Sequence, residues 1–154
     1  MARLEWVILT ERTIIEAQSN AASLLSIVET VTIPTPPPLP GAADGQNAPP
    51  FFVPFRFYVN QQWVRSKLDR NETVETRCLL LAPDKKSYAT AFAIVSMEGK
   101  FVRNRVVGQI PGFPLKGEGE YSVLVQLRSG KRWRTVGKTQ FVLVFGPAVA
   151  TATH

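Results

Sequence analysis

Alternation of apolar and polar residues is the main pattern in this chain, and it predicts β-strands. The alternation is clearest in residues 119–128, where only Leu124 interrupts it. The apolar set is Tyr121, Val123, Val125 and Leu127, and the polar set is Ser122, Gln126 and Arg128. One face of this strand is therefore expected to pack on a core while the other faces solvent.

Five further segments are rich in β-forming residues and predict additional strands: 4–10, 72–82, 88–96, 101–110 and 131–145. They are separated by the turn-forming sequences Pro83-Asp84-Lys85-Lys86, Glu98-Gly99-Lys100, Gly112-Phe113-Pro114 and Ser129-Gly130-Lys131. Residues 141–145 are apolar on both faces, as expected of a central strand that is covered on both sides. Strands at this spacing predict an all-β sandwich or barrel.

The pattern in residues 14–31 fits two structures. Its apolar residues recur at helical spacing, which indicates an amphipathic helix; they are Ile14, Ala17, Ala21, Leu24, Val28 and Val31. The β-branched residues on either side also fit a hairpin, with strands at 6–15 and 23–33 joined by Ala17-Gln18-Ser19-Asn20. Periodicity alone does not decide between the helix and the hairpin.

A proline-rich stretch at 34–50 predicts a long loop with a polyproline start. No basic residue flanks it to orient docking on a proline-binding module, so a stiff connector is the favoured interpretation. The expected organisation is one β-domain over residues 1–146 that includes this loop. Residues 147–154 are expected to form a flexible C-terminal tail.

The order of these features resembles a family of small bacterial proteins, a domain of unknown function with an immunoglobulin-like β-sandwich. The residues that carry the resemblance are Leu4-Glu5-Trp6-Val7-Ile8-Leu9-Thr10, Ser23-Leu24-Leu25-Ser26-Ile27-Val28, Phe57-Tyr58-Val59, Trp63, Arg77-Cys78-Leu79-Leu80-Leu81-Ala82-Pro83-Asp84, Pro111-Gly112-Phe113-Pro114-Leu115 and Gly119-Glu120-Tyr121. The resemblance implies an immunoglobulin-like antiparallel β-sandwich in a single domain and favours the N-terminal hairpin. It implies no activity, substrate or site residues, and the long proline-rich stretch at 34–50 departs from it.

Composition excludes several kinds of chemistry. Among 154 residues there is one cysteine, Cys78, and one histidine, His154, the last residue. Histidine-based catalytic triads, zinc sites and disulfides are therefore not expected. The lone cysteine and an acidic Glu5 where a signal peptide needs apolar residues predict a cytosolic protein. The chain contains no run of 18 apolar residues, so no membrane-spanning helix is predicted and no membrane partner is expected.

The remaining motifs do not predict an enzyme. Gly137-Lys138-Thr139 matches the end of a phosphate-binding loop, but Arg132 stands where the first glycine is required. The few acidic residues fall at strand ends and turns, which fits neither a calcium loop nor a glycosidase pair. Cys78 lies in an apolar stretch and is expected to be a small buried residue. We therefore expect no catalytic residues, no cofactor and no metal.

The most suggestive segment for binding is 128–138, a predicted hairpin with five basic residues and no acid. Its candidate anion or nucleic-acid contacts are Arg128, Lys131, Arg132, Trp133, Arg134 and Lys138, with the indole available to stack on a base. Lys100, Arg103 and Arg105 lie in another predicted strand, and the two groups together would form one patch. The same charges also fit an edge hairpin that lysine and arginine protect from aggregation, with Trp133 packed partly inward.

Net charge sharpens these hypotheses. The chain carries +6 overall; residues 1–50 contribute −3 and residues 51–154 contribute +9. The leading hypothesis is a non-enzymatic cytosolic binding or assembly module whose partner is a protein, either a second copy or another chain. The alternative is nucleic-acid or polyanion binding through the basic hairpin.

Overall fold

The computed structural model of the protein describes residues 2–15, 22–36, 51–67, 69–98 and 102–147. Within these ranges every element of regular secondary structure is a β-strand. The strands are β1 (Arg3–Ile15), β2 (Ala22–Ile27), β3 (Thr30–Pro34), β4 (Phe52–Val53), β5 (Phe57–Val64), β6 (Glu72–Leu81), β7 (Ser87–Met97), β8 (Arg103–Ile110), β9 (Phe113–Pro114), β10 (Gly119–Ser129) and β11 (Arg132–Gly146). The all-β class predicted from the alternation is confirmed.

Nine of these strands form two sheets. The four-stranded sheet has the order β2-β1-β5-β8, and all its neighbours are antiparallel. The five-stranded sheet has the order β3-β11-β10-β6-β7 and is antiparallel except for the parallel pair β3 and β11. The short strands β4 and β9 pair as a separate ribbon. Strand β9 occupies residues that the sequence predicts as a turn, Gly112-Phe113-Pro114.

The N-terminal region is a hairpin, and the helical alternative for residues 14–31 is wrong. Strands β1 and β2 pair antiparallel from Thr10 with Ile27 to Ile15 with Ala22. The second strand ends at Ile27 instead of continuing to residue 33 as predicted. Val28 and Val31, which follow Ile27, are buried in the core, and residues 30–34 pair with the five-stranded sheet instead of with β1. The predicted connection at 17–20 lies outside the described residues.

The core lies between the inner faces of the two sheets. The apolar set predicted for β10 is almost completely buried and points into this core: Tyr121, Val123, Val125 and Leu127. The ring of Phe57 on the four-stranded sheet meets the ring of Phe141 on the five-stranded sheet, with centroids 5.5 Å apart. The sheets also approach closely at Gly137, where an added Cβ would overlap the side chain of Leu4. The alternation along β10 therefore marks the face that joins the two sheets.

A hydrogen-bonded tyrosine fixes the start of β10. The hydroxyl of Tyr121 accepts a bond from the backbone N–H of Lys116 at 2.8 Å and donates to the carbonyl of Gly117 at 3.1 Å. Burial raises the pKa of this hydroxyl above its ordinary value. Because Tyr121 itself is buried, these two bonds satisfy a polar group that would otherwise destabilise the core.

Residues 141–145 are not covered on both faces as predicted. Phe141 and Leu143 are buried, but Val142 between them is 40% exposed. Strand β11 therefore packs one face on the core and leaves the other partly open to solvent, like its neighbour β10. The sequence pattern overstates the burial because β11 lies in a sheet whose outer face has no covering layer among the described residues.

Most of the proline-rich stretch and the C-terminal tail lie outside the described residues. Of residues 34–50 the structure describes only 34–36, and Pro34 is the last residue of β3. Of the predicted tail it describes residue 147 alone. Among the described residues, none belongs to a helix that is long and apolar enough to cross a membrane.

Candidate functional site on the outer face of the five-stranded sheet

The basic segment 128–138 lies on the hairpin of β10 and β11. The two strands pair antiparallel up to Ser129 with Arg132, with one register shift between Val125 and Gln126, and Gly130 in the turn has a φ of 60°. Only glycine adopts this left-handed conformation without steric cost, which explains why the predicted turn falls at this residue. The hairpin itself is as the sequence predicts.

Two of the five cations are paired with carboxylates. A guanidinium nitrogen of Arg128 lies 2.6 Å from Glu75 Oε2, and Nζ of Lys138 lies 3.0 Å from Glu120 Oε1. The hydrogen bond from Lys138, aided by one from Ser122, lowers the pKa of Glu120 below its ordinary value. Both ion pairs are about half exposed, so each contributes only modestly to stability.

The other three cations lie close to the hairpin tip. Lys131, Arg132 and Arg134 are exposed, and no described carboxylate is within ion-pair distance of them. Arg134 pairs with the inward-facing Leu127 and lines a cleft with Arg3 at the end of the molecule. It therefore lies on the opposite side of β11 from Trp133. The six predicted contacts do not converge on one surface.

Trp133 lies on the outer face of the five-stranded sheet and not inward. The guanidinium carbon of Arg77 lies 4.4 Å from the centre of its ring. The ring of Phe92 meets it edge-on, with centroids 6.3 Å apart. Because Arg77 stacks on one face of the indole, only the opposite face is left for a ligand. The cation that covers Trp133 comes from β6, far from the basic segment in sequence.

A polar network holds Arg77 in this position. Its Nε donates to Gln126 Oε1 at 2.8 Å, and Gln126 Nε2 donates to Thr135 Oγ1 at 3.2 Å. Arg77, Gln126 and Thr135 form one row across the sheet with Phe92. The next row on the same face consists of Glu75, Arg128, Trp133 and Ile94. The centre of the face is therefore polar and internally bonded.

Two large apolar side chains stand on this face at the edge of the network. Phe92 is 68% exposed and Ile94 is 74% exposed, both on β7. They border a groove of about 440 Å³ whose far side is formed by Arg128 and Trp133. We name the surface formed by Glu75, Arg77, Phe92, Ile94, Gln126, Arg128, Trp133 and Thr135 the aromatic face. Exposed apolar groups grouped with bonded polar groups are typical of a contact surface.

Phe92 and Ile94 were not predicted as site residues, although the signal for their strand was present. In residues 88–96 one alternating set contains Phe92 and Ile94, and the other contains Val95. Val95 is buried, so the set that contains Val95 packs on the core and the set that contains Phe92 and Ile94 faces solvent. Either set has the composition of a core face, and the sequence alone does not rank them.

The second basic group lies on the other sheet. Arg103 makes two bonds to the carboxylate of Glu5, at 3.0 and 3.2 Å, which lower the pKa of Glu5 to about 2. Arg105 lies 5.8 Å from the centre of the Trp6 ring and bonds to Gln62. Both arginines thus have partners within the four-stranded sheet, and Lys100 lies outside the described residues.

Cys78 is buried, as predicted. Its sulfur accepts a hydrogen bond from Gln61 Nε2 at 3.2 Å, which links the two sheets. Burial raises the pKa of the thiol to about 11, so the thiolate is scarce at neutral pH. Among the described residues there is no group of three or more histidine, cysteine or acidic side chains that could hold a metal ion.

No family model, curated protein or solved structure matches this chain.

Proposed function

We propose that the protein is a non-enzymatic, cytosolic binding or assembly module that contacts a protein partner through the aromatic face. The exposure of Phe92 and Ile94 beside Trp133 is the observation that carries this proposal. Large apolar side chains that are grouped on one face gain free energy when another surface covers them and removes them from water. The bonded polar residues beside them supply a rim with fixed geometry.

We also propose that the fold is an immunoglobulin-like antiparallel β-sandwich. The chain alternates between the two sheets in the manner of such domains, and the hairpin β10 and β11 is followed across its sheet by β6. Tyr121, with its hydroxyl bonded to backbone groups just upstream, occupies the place of the tyrosine corner of these domains. In this fold the aromatic face is formed by the five-stranded sheet, which contains the C-terminal strand pair β10 and β11.

A matched pair of variants tests the proposed docking surface. Phe92→Ser removes the exposed ring from the aromatic face, and Phe52→Ser removes a ring that is 54% exposed on the β4 and β9 ribbon. Tagged wild type and both variants, each checked by thermal melting, are used to capture proteins from nuclease-treated lysate of the native host. We expect one protein that wild type and Phe52→Ser retain equally and that Phe92→Ser loses by at least about tenfold. Equal capture by all three would contradict the proposal.

The polyanion alternative is favoured by a single observation, the three exposed cations at the hairpin tip without described acidic partners. Nuclease treatment separates it from the leading proposal. Partners that are captured only from untreated lysate would indicate binding through nucleic acid.

A further inference from the structure

Arg77 on the aromatic face keeps hydrogen-bond donors that its own chain does not use. Its guanidinium carbon lies 4.4 Å from the centre of the Trp133 ring, and its Nε donates to Gln126 Oε1 at 2.8 Å. No described residue accepts a hydrogen bond from the two terminal nitrogens of this guanidinium. Because each terminal nitrogen carries two N–H groups, this end of the side chain can bind a ligand.

The charges of the aromatic face do not balance. Its one carboxylate, Glu75, lies 2.6 Å from a guanidinium nitrogen of Arg128. No described carboxylate is within ion-pair distance of Arg77, and the same is true of the exposed Lys131 in the turn between β10 and β11. The aromatic face therefore carries a net positive charge, and the complementary surface on a partner is acidic.

The contacts that hold Arg77 favour a carboxylate as its ligand. A guanidinium presents two parallel N–H groups that match the two oxygens of a carboxylate. Stacking on Trp133 and the bond to Gln126 fix the plane of the Arg77 guanidinium before any partner arrives. A side chain that is already held in place loses little conformational freedom on binding, which increases affinity.

The apolar groove of the aromatic face lies beside Arg77. Arg77 belongs to the row of Phe92, and the groove of about 440 Å³ between Phe92 and Ile94 extends to the next row. Successive rows on one face of a sheet are about 7 Å apart, because a strand rises about 3.3 Å per residue. One short segment of a partner can therefore reach Arg77 with one side chain and the groove with another.

We propose that the partner of the aromatic face is an acidic protein segment. An aspartate or glutamate of this segment binds the terminal nitrogens of Arg77, and a neighbouring apolar side chain enters the groove between Phe92 and Ile94. This inference rests on the proposed function, since it uses the same surface, and it adds the chemistry of the partner. A second copy of the aromatic face is disfavoured as the occupant because it would oppose like charges.

Selection from a display library of random peptides tests the chemistry of the partner. The full chain is the bait, and peptides that also bind Phe92→Ser are discarded. We expect the remaining peptides to be enriched in aspartate and glutamate by at least about twofold over the library. Peptides that depend on Phe92 without this enrichment would overturn the inference and leave the proposed docking surface in place. The absence of any peptide that depends on Phe92 would contradict the docking surface itself.

A double-mutant cycle tests the contact with Arg77. Each acid of the strongest selected peptide is changed in turn to its amide, and affinities are measured by fluorescence anisotropy. One such change should weaken binding to wild type by at least about tenfold and binding to Arg77→Gln by less than about twofold. Equal losses for the two proteins, or no loss for wild type, would overturn the inference. If Arg77→Gln only displaced Trp133, the effect of the acid would persist in that variant.

Arg105→Gln is the matched control, since Arg105 lies 5.8 Å from the centre of the Trp6 ring on the other sheet. We expect this variant to bind the selected peptide as tightly as wild type, and a loss equal to that of Arg77→Gln would overturn the inference. A peptide with phosphoserine in place of the contacting acid tests the other possible anion. Binding at least about tenfold tighter than that of the acidic peptide would overturn the assignment of a carboxylate.

Discussion

The hairpin of β1 and β2 and the hairpin of β10 and β11 both present a strand edge, with opposite surface chemistry. Strand β3 pairs with β11 only at residues 142–146, so no described strand pairs with that side of residues 132–141. This edge carries Arg132, Arg134 and Lys138. The edge of β2 carries no charge and exposes Leu25 and Ile27. The comparison indicates that one edge is protected from strand addition and the other is open to it.

The two hairpins also differ in how they contact the core. The inward residues of β10 are almost completely buried, whereas β1 beyond Thr10 and all of β2 are partly or fully exposed. Among the described strands, β2 alone pairs with that part of β1. The hairpin of β10 and β11 is therefore stabilised by packing, and the hairpin of β1 and β2 mainly by the hydrogen bonds between its own strands.

The largest expected difference between the hairpins is in stability. Leu127→Ala removes a side chain that is 1% exposed and leaves a cavity, so the free energy of unfolding should fall by about 2–5 kcal/mol. Ile27→Ala in the other hairpin removes a side chain that is 61% exposed, so the change should stay within about 0.5 kcal/mol. Urea unfolding followed by tryptophan fluorescence measures both. Similar losses from the two substitutions would mean that β2 packs as tightly as β10.

The ion pair of Glu120 and Lys138 on the hairpin of β10 and β11 is expected to have a smaller effect on the free energy of unfolding. Hydrogen bonding lowers the pKa of Glu120 in the folded protein below 4.5, the ordinary value for a glutamate side chain. The pair therefore stabilises the folded state fully above that pH and loses its effect as pH falls through the lowered pKa. Glu120→Gln should lower the urea midpoint at about pH 6 and make less difference at about pH 3.

Glu11→Gln is the matched control on the hairpin of β1 and β2, since Glu11 forms no ion pair with any described residue. We expect its effect on the urea midpoint to be the same at both pH values. A pH-dependent effect of Glu11→Gln equal to that of Glu120→Gln would show that the two hairpins do not differ in this respect.

The smallest effect is expected when the exposed cations of the hairpin of β10 and β11 are removed and the affinity for nucleic acid is measured. If Lys131, Arg132 and Arg134 serve to protect an edge, wild type should bind single strands no more tightly than about 10⁻⁶ to 10⁻⁴ M at physiological salt. Changing all three to alanine should then leave the affinity nearly unchanged. Salt titrations by fluorescence anisotropy measure both proteins. Tighter binding, with a log–log salt slope that the triple variant flattens by about 2, would instead support the polyanion alternative.

The sequence predicts the fold best where apolar alternation coincides with burial, as in β10, and worst where polar residues are buried. Strand β5 was not predicted because Asn60, Gln61 and Gln62 interrupt its apolar residues. Asn60 and Gln61 are nevertheless buried, and each donates a side-chain hydrogen bond, to Thr10 and Cys78 respectively. Periodicity of hydrophobic residues does not detect a buried position whose polar group is satisfied by a partner far away in the chain.

The candidate site was predicted only in part, again because some of its contacts come from residues that are distant in the sequence. The hairpin and its exposed cations follow from local sequence, but the partners of Arg128 and Trp133 come from β6 and β7. Glu75 and Arg77 lie some fifty residues before them and meet them only because β6 is the neighbour of β10 in the sheet. Which cations remain free thus depends on strand order, which local patterns do not contain.

The parallel pairing of β3 with β11 determines when the fold can be completed during synthesis. Residues 142–146, the strand partner of residues 30–34, are made more than a hundred residues after them. Until then β3 lacks β11, the strand that pairs with it among the described residues, and Val31 has no complete core to enter. Contacts of such high sequence separation slow folding, so the nascent chain passes through a long interval with its apolar strands uncovered. Chaperone binding during that interval is therefore expected to matter more for this chain than for a helical protein of equal length.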